Sequence, residues 1–110
     1  GGDTWGQPYD GAYNLSTVAR SRFEACVRTG IHELGHHVRQ FIGGDLRQEL
    51  RSVWDQAVQS WHAISRRSLE DEEEFFAEAF LAYFSHPAEL RADHHDAYAL
   101  IELALERVRQ

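Results

Sequence analysis

His32 and His36 stand four residues apart, with a glutamate directly after the first, in the run His32-Glu33-Leu34-Gly35-His36. On an α-helix, side chains at i and i+4 lie one above the other, so both imidazoles can aim at a single point. Neutral imidazole is a good zinc ligand. Glu33 falls about 100° further round the helix. It therefore sits beside such an ion, where its carboxylate can take a proton from a water that the metal activates. H-E-x-x-H is a short pattern, and a histidine pair can also be plain surface, so a third ligand has to come from elsewhere. An extension of the motif that supplies a further histidine from the same stretch needs Gly at 39 and His at 42. Arg39 and Ile42 occupy those positions and exclude it. A glutamate from a later helix is the other common solution.

Residues 70–84 offer Glu70, Asp71, Glu72, Glu73, Glu74 and Glu78. For Glu70 to Glu73 a solvated helix start, where negative charge suits the dipole, is sufficient. Glu74 and Glu78 differ. On a helical wheel Phe75, Phe76, Ala79, Phe80, Tyr83 and Phe84 make one wide apolar face, and the two glutamates share the opposite face with Ala77 and Leu81. A helix apolar nearly all round is a buried helix, and a buried carboxylate needs a partner charge or hydrogen bonds. A zinc ion is such a charge and a histidine N–H is such a donor. One of the pair can therefore ligate the metal while the other orients a ligand histidine. The spacing leaves open which does which.

The stretch T-G-I-H-E-L-G-H-H (residues 29–37), followed by E-F-F-A-E-A-F (residues 74–80), resembles the gluzincin metallopeptidase domains typified by the catalytic domain of anthrax lethal factor, with relatives in bacterial toxins and phage proteins. The similarity runs over residues 29–90, more than half the chain. It implies a zincin-like fold and zinc-dependent hydrolysis of a peptide bond. It also implies His32, His36 and Glu74 as ligands, Glu78 as the support of a ligand histidine, and Glu33 as the general base. The family commonly carries a tyrosine seven residues before the ligand glutamate, as an oxyanion donor; that position is Arg67 here. Arg67 can reach a developing oxyanion or substrate, or it can turn to the acidic run at 70–74, where several carboxylates favour it. The expected function is a gluzincin-type zinc endopeptidase. The departure at Arg67 leaves a second expectation, a zinc-stabilised helical binding module with weak or no proteolysis.

These residues need elements to position them. Val27, Ile31, Leu34, Val38 and Phe41 recur at helical spacing from about Ser21, placing an apolar stripe away from His32 and His36. Gly43-Gly44 stops this helix, and Asp45 can cap the next. That second helix is marked by Leu46, Leu50, Val53, Trp54, Ala57, Val58, Trp61 and Ile64, with Trp54 and Trp61 as core residues. Ser65 to Ser68 breaks the pattern. A third helix begins in the acidic run and ends before Pro87, with His86 helping to end it. A fourth, capped by Asp93, runs to about Val108. His94-His95 near Asp93 and Asp96 could mimic a second metal site, but capping is the simpler role. His62 is expected at the surface or in a satisfied polar contact, and His37 at the surface or supporting a ligand. The expected fold is mainly α, a helical domain of about four helices with little or no β structure near the N-terminus. Residues 1–20, Trp5 among them, are expected as a loop with a short strand near 12–18, and residues 21–110 as the metallopeptidase domain.

The whole is 110 residues with a formal charge of −7, one domain by length. Nothing resembles a basic stripe, which argues against nucleic acid. No apolar run approaches the ~20 residues of a membrane span. The expected partner is a peptide or protein substrate. Cys26 is the single cysteine, so no internal disulfide forms, and it is expected as a small buried apolar residue. The N-terminus lacks a signal-peptide pattern, which fits the cytoplasm or delivery within a toxin or phage protein. Gly1-Gly2 reads as a linker, compatible with a piece of a larger polypeptide.

Overall fold

The computed structural model describes residues 22–109. Among these the chain is mainly helical, with five helices and no strand. They are α1 (Arg22–Arg39), α2 (Gly43–Ser60), α3 (Glu72–Ser85), α4 (Pro87–Asp93) and α5 (His95–Arg109). The expected N-terminal loop or short strand, with Trp5, lies outside the described residues.

α3 is the centre of the fold. Every residue from Phe75 to Ala82 is buried, Glu78 included. Its apolar surface on all sides recruits the other helices: α1 packs chiefly against it, and α2, α4 and α5 also touch it. Phe75, Phe76 and Phe80 join Ile42, Leu50, Leu90, Leu100 and Ile101 in one core. Asp71 opens the helix, its carboxylate accepting from the Glu74 N–H at 2.8 Å; this satisfies one of the orphan amides of the first turn. Phe84, expected on the apolar face, is 51 % exposed, because the last turn of α3 runs past the helices that cover the rest.

The approach of α1 to α3 explains a departure. The apolar stripe expected to bury α1 is buried only in part: Val27, Leu34 and Phe41 are exposed, as is Phe23, while Val38 is buried with His32 and Gly35 and Ile31 packs against the core. α1 thus presents its histidine side to the core. Gly35 makes this possible. A Cβ built there would lie 3.0 Å from Phe80 Cβ and 3.1 Å from the Ala77 Cα, so any side chain would push the helices apart. The glycine costs helix propensity in the middle of α1, and close packing on α3 is what it provides.

The junctions also depart from expectation. Five helices replace four because Pro87, which ends α3, is also the first residue of α4; its fixed φ and missing N–H suit that position. His86 serves both junctions, as C-cap of α3 and N-cap of α4. Asp93 ends α4 and does not cap α5, where His94 is the residue between the helices. Asp45 is not the cap of α2, which has Ile42 at its N-cap with no side-chain bond. Instead Asp45 takes both arms of Arg107, at 2.9 and 3.1 Å, and Arg107 also donates to the Ile42 carbonyl. This ties the end of α5 to the corner between α1 and α2, where Gly43 turns with φ +86°.

Ile64, expected on α2, is buried in the loop beyond it, because α2 ends at Ser60. Trp54 is half-buried against the core. Trp61 is 84 % exposed and takes a left-handed conformation at the C-cap of α2; closing the helix leaves its indole outside. Cys26, expected buried, is exposed, because it lies on the part of α1 turned away from α3.

The Gly35 contact yields a paired prediction, read by urea denaturation in the presence of a chelator. Gly35→Ala should destabilise the fold by roughly 1–3 kcal/mol through overpacking. Gly30→Ala, where nothing lies within 4 Å of an added Cβ, should stabilise it by about 0.4–1 kcal/mol. Equal effects from the two would remove the close-contact role of Gly35.

Candidate metal centre

Gly35 sits between His32 and His36 on α1, so its close approach to α3 falls where those histidines face Glu74 and Glu78. His32 Nε2 and His36 Nε2 are 3.2 Å apart. His32 Nε2 lies 3.3 Å from Glu74 Oε1, and His36 Nε2 lies 3.0 Å from Glu74 Oε2. The two imidazole nitrogens and the Glu74 carboxylate, which turns a different oxygen to each histidine, thus form a triangle of residues. Ligands about 2.0–2.1 Å from a tetrahedral zinc stand roughly 3.3 Å from each other, so the donor set fits that ion in type and in the distance each histidine keeps to its nearest carboxylate oxygen. One further observation bears on the fit. Glu74 Oε1 is buried and accepts no well-aligned hydrogen bond, so this oxygen depends on a cation nearby, and the Arg67 guanidinium is 3.1 Å from it. Among the described residues, the one group of three or more His, Cys, Asp or Glu side chains that could hold a metal ion is His32, His36 and Glu74.

Glu78 has a different position. Its Oε2 accepts from His32 Nδ1 at 2.7 Å and its Oε1 from the Ser65 hydroxyl at 2.5 Å. Both oxygens are therefore occupied away from the triangle. The bond to His32 Nδ1–H turns the imidazole so that Nε2 faces Glu74 and His36, the support a ligand histidine ordinarily has. It is also the largest cause of the raised His32 pKa, which burial opposes and the charges of Glu78 and Glu74 reinforce. Ser65 was legible in the sequence only as part of a helix break. Its neighbour Ser68 is fully buried and accepts from the Ile64 and Ser65 amides at 2.9 and 3.1 Å while donating to the Ser65 carbonyl. The loop between α2 and α3 is thereby braced and fastened to Glu78.

Arg67 lies on this loop. Its Nη2 is 3.1 Å from Glu74 Oε1, with the side chain more than half exposed. The guanidinium is thus on the one carboxylate that belongs both to the acidic run and to the triangle. Glu33 is exposed on α1, one residue after His32. His37 is exposed, its ring edge-on to Phe41 at 5.2 Å. Below the triangle, Arg39 pairs with Glu72 at 2.6 Å and Arg51 with the same carboxylate at 3.1 Å. These pairs draw the end of α1 and the middle of α2 to the start of α3.

The other histidine cluster is at the opposite junction. His62 and His94 stack with ring centres 4.0 Å apart, and the His62 Nε2 lies 2.6 Å from the Asp93 carbonyl oxygen, so that nitrogen donates. They border a pocket of about 240 Å³ together with His95 and Asp96. His95 and Asp96 are both exposed, with nitrogen and oxygen 3.8 Å apart. No metal-ligand set of the described residues includes His94 or His95.

Comparison with protein-family profiles, with curated proteins and with solved structures finds no match to this chain.

His94 gives a pH prediction. Burial, reinforced by the neighbouring His62, lowers its pKa to about 3, against about 6.5 for an unfolded histidine. Between these values the unfolded chain binds a proton that the folded chain does not, so stability rises with pH across that window. The contribution is complete above pH 6.5 and is lost as the pH falls toward 3, at up to ~1.4 kcal/mol per pH unit. Denaturation midpoints taken from pH 7 to pH 4 should fall less steeply in His94→Gln than in the parent. Parallel profiles would mean that His94 is not held neutral by the fold.

Proposed function

We propose that this domain is a zinc-dependent peptidase of gluzincin type with a zincin-like fold, in which His32, His36 and Glu74 hold the metal. The observation that supports this reading is the cluster of His32 Nε2, His36 Nε2 and the Glu74 carboxylate, the nitrogens 3.2 Å apart and each within 3.3 Å of a different Glu74 oxygen, beside an exposed Glu33. Zinc, when bound, supplies Lewis-acid polarisation of a peptide carbonyl and lowers the pKa of water. The residues of the chain do the rest. Glu33 accepts the proton of the attacking water and returns it to the leaving amine. Glu78 holds His32 in the tautomer that leaves Nε2 free to ligate, and Ser65 holds Glu78. His36 and Glu74 complete the set from two different helices, so the site depends on how α1 and α3 dock. The substrate is a peptide or protein; among the described residues no helix is long and apolar enough to cross a membrane.

One observation favours a second reading, a zinc-stabilised binding module with little turnover. The position that resembles the family's tyrosine is Arg67, and its guanidinium is engaged with Glu74. Loss of an oxyanion donor typically costs ~10²–10³ in rate. Glu33 counts against this reading, because a purely structural zinc site has no use for a general base.

Three measurements test the proposal. The parent should carry one zinc per chain by elemental analysis and cleave members of a peptide library. Glu33→Gln should keep its zinc and lose cleavage, whereas His36→Ala should lose both. Cleavage by Glu33→Gln at the parental rate would overturn the mechanism, and a zinc-loaded parent that cleaves nothing would leave the binding module. In a competition assay with a chromophoric chelator, Glu78→Gln should weaken zinc binding by about 10–100-fold and Glu74→Gln by considerably more. The reverse order would exchange the roles of the two glutamates.

A further inference from the structure

The Glu74 carboxylate has more claimants than it can serve equally. His32 Nε2 and Arg67 Nη2 both face Oε1, at 3.3 and 3.1 Å, and His36 Nε2 faces Oε2 at 3.0 Å. We infer that Arg67 is a resident counter-cation of Glu74 that competes with a metal ion for the same carboxylate, so that metal loading exchanges one cation for another. The inference rests on the metal-binding reading above.

Three features carry it. The first is charge: Glu74 is mostly buried beside Glu72 and Glu73 at the start of the apolar stretch of α3, so it needs a cation at all times. A permanently charged guanidinium meets that need whatever the metal supply. The second is the quality of the contact. Oε1 accepts no aligned hydrogen bond despite the short Arg67 distance, so the pair is held by charge and not by a bidentate fit. The exposed arginine arm can leave without breaking a directional bond. The third is the mounting. Ser68 fixes the turn of the loop and Ser65 fastens it to Glu78, so the backbone under Arg67 stays registered to the site while the arm moves. Glu70 and Asp71, both exposed, lie a few residues along the chain as alternative partners.

A positive charge beside the triangle opposes a second one within it, and removing it should tighten metal binding. Zinc affinity is measured by chelator competition for the parent, Arg67→Gln, Arg67→Ala and Arg67→Lys, alongside melting of each in excess chelator. The two neutral variants should bind zinc about tenfold or more tightly, a scale set by one screened like charge, and should melt below the parent in chelator. Arg67→Lys keeps the charge and should stay near the parent in both measurements, which a role in shape alone would not produce. If the parent binds zinc and the neutral variants bind it no more tightly, the competition is overturned and the metal site stands. If neither the parent nor any variant binds zinc, the metal-binding reading fails and this inference with it.

Discussion

Glu74 and Glu78, which bracket and interrupt the apolar stretch of α3, are the constraint around which this domain is arranged. Glu74 and Glu78 cannot be buried in α3 without compensation. Their partners come from outside the helix: two imidazoles from α1, a hydroxyl and a guanidinium from the loop before α3. The docking of α1, the path of the loop and the polarity of the interface all follow from that need. Glu78 is satisfied fully within the protein by a histidine N–H and a serine O–H. Glu74 is met by cation-capable groups only, with one oxygen lacking an aligned donor. The two residues are identical in type and four positions apart, and their surroundings give them different chemical prospects.

The sequence carried the helices and the cluster, because both have a period. The limits of α3 follow from an acidic start and a proline stop, and the convergence of His32, His36, Glu74 and Glu78 follows from two i, i+4 pairs. The buried face of α1 was not legible. Of its expected stripe, Val27, Leu34 and Phe41 remain exposed, while Val38 is buried and Ile31 packs against the core. Hydrophobicity of α1 alone misleads here because the partner helix supplies hydrogen bonds and charge that make a histidine face buriable. That information lies some forty residues away. A glycine between two histidines was the local hint, since a mid-helix glycine needs a packing reason.

The junctions show the same division between local and distant causes. Pro87 was readable as a stop, and reading it also as a start required seeing that the chain resumes a helix at once. Asp45 has the composition of a cap, but Arg107 from the far end of the chain takes its carboxylate. Trp61 fits the spacing of α2 and lies just past the point where that helix ends. Ser65 and Ser68 were visible only as pattern-breaking residues, whereas their hydroxyls build the loop. In each case a short-range rule gave the right residue type and a contact distant in sequence assigned its use.

Gly35 also bears on how such sites can be recognised or transplanted. The pattern H-E-x-x-H leaves its fourth position unspecified, as though any residue served there. Here that position touches the Ala77 backbone and the base of Phe80, which places it in the same interface as both carboxylates. Pasting the five residues onto another helix would carry over the imidazoles without the groove they face. The transferable unit is a pair of helices with small residues at the crossing, and a search template that demands a glycine in one and an alanine between two glutamates in the other would ask for the crossing as well as the ligands.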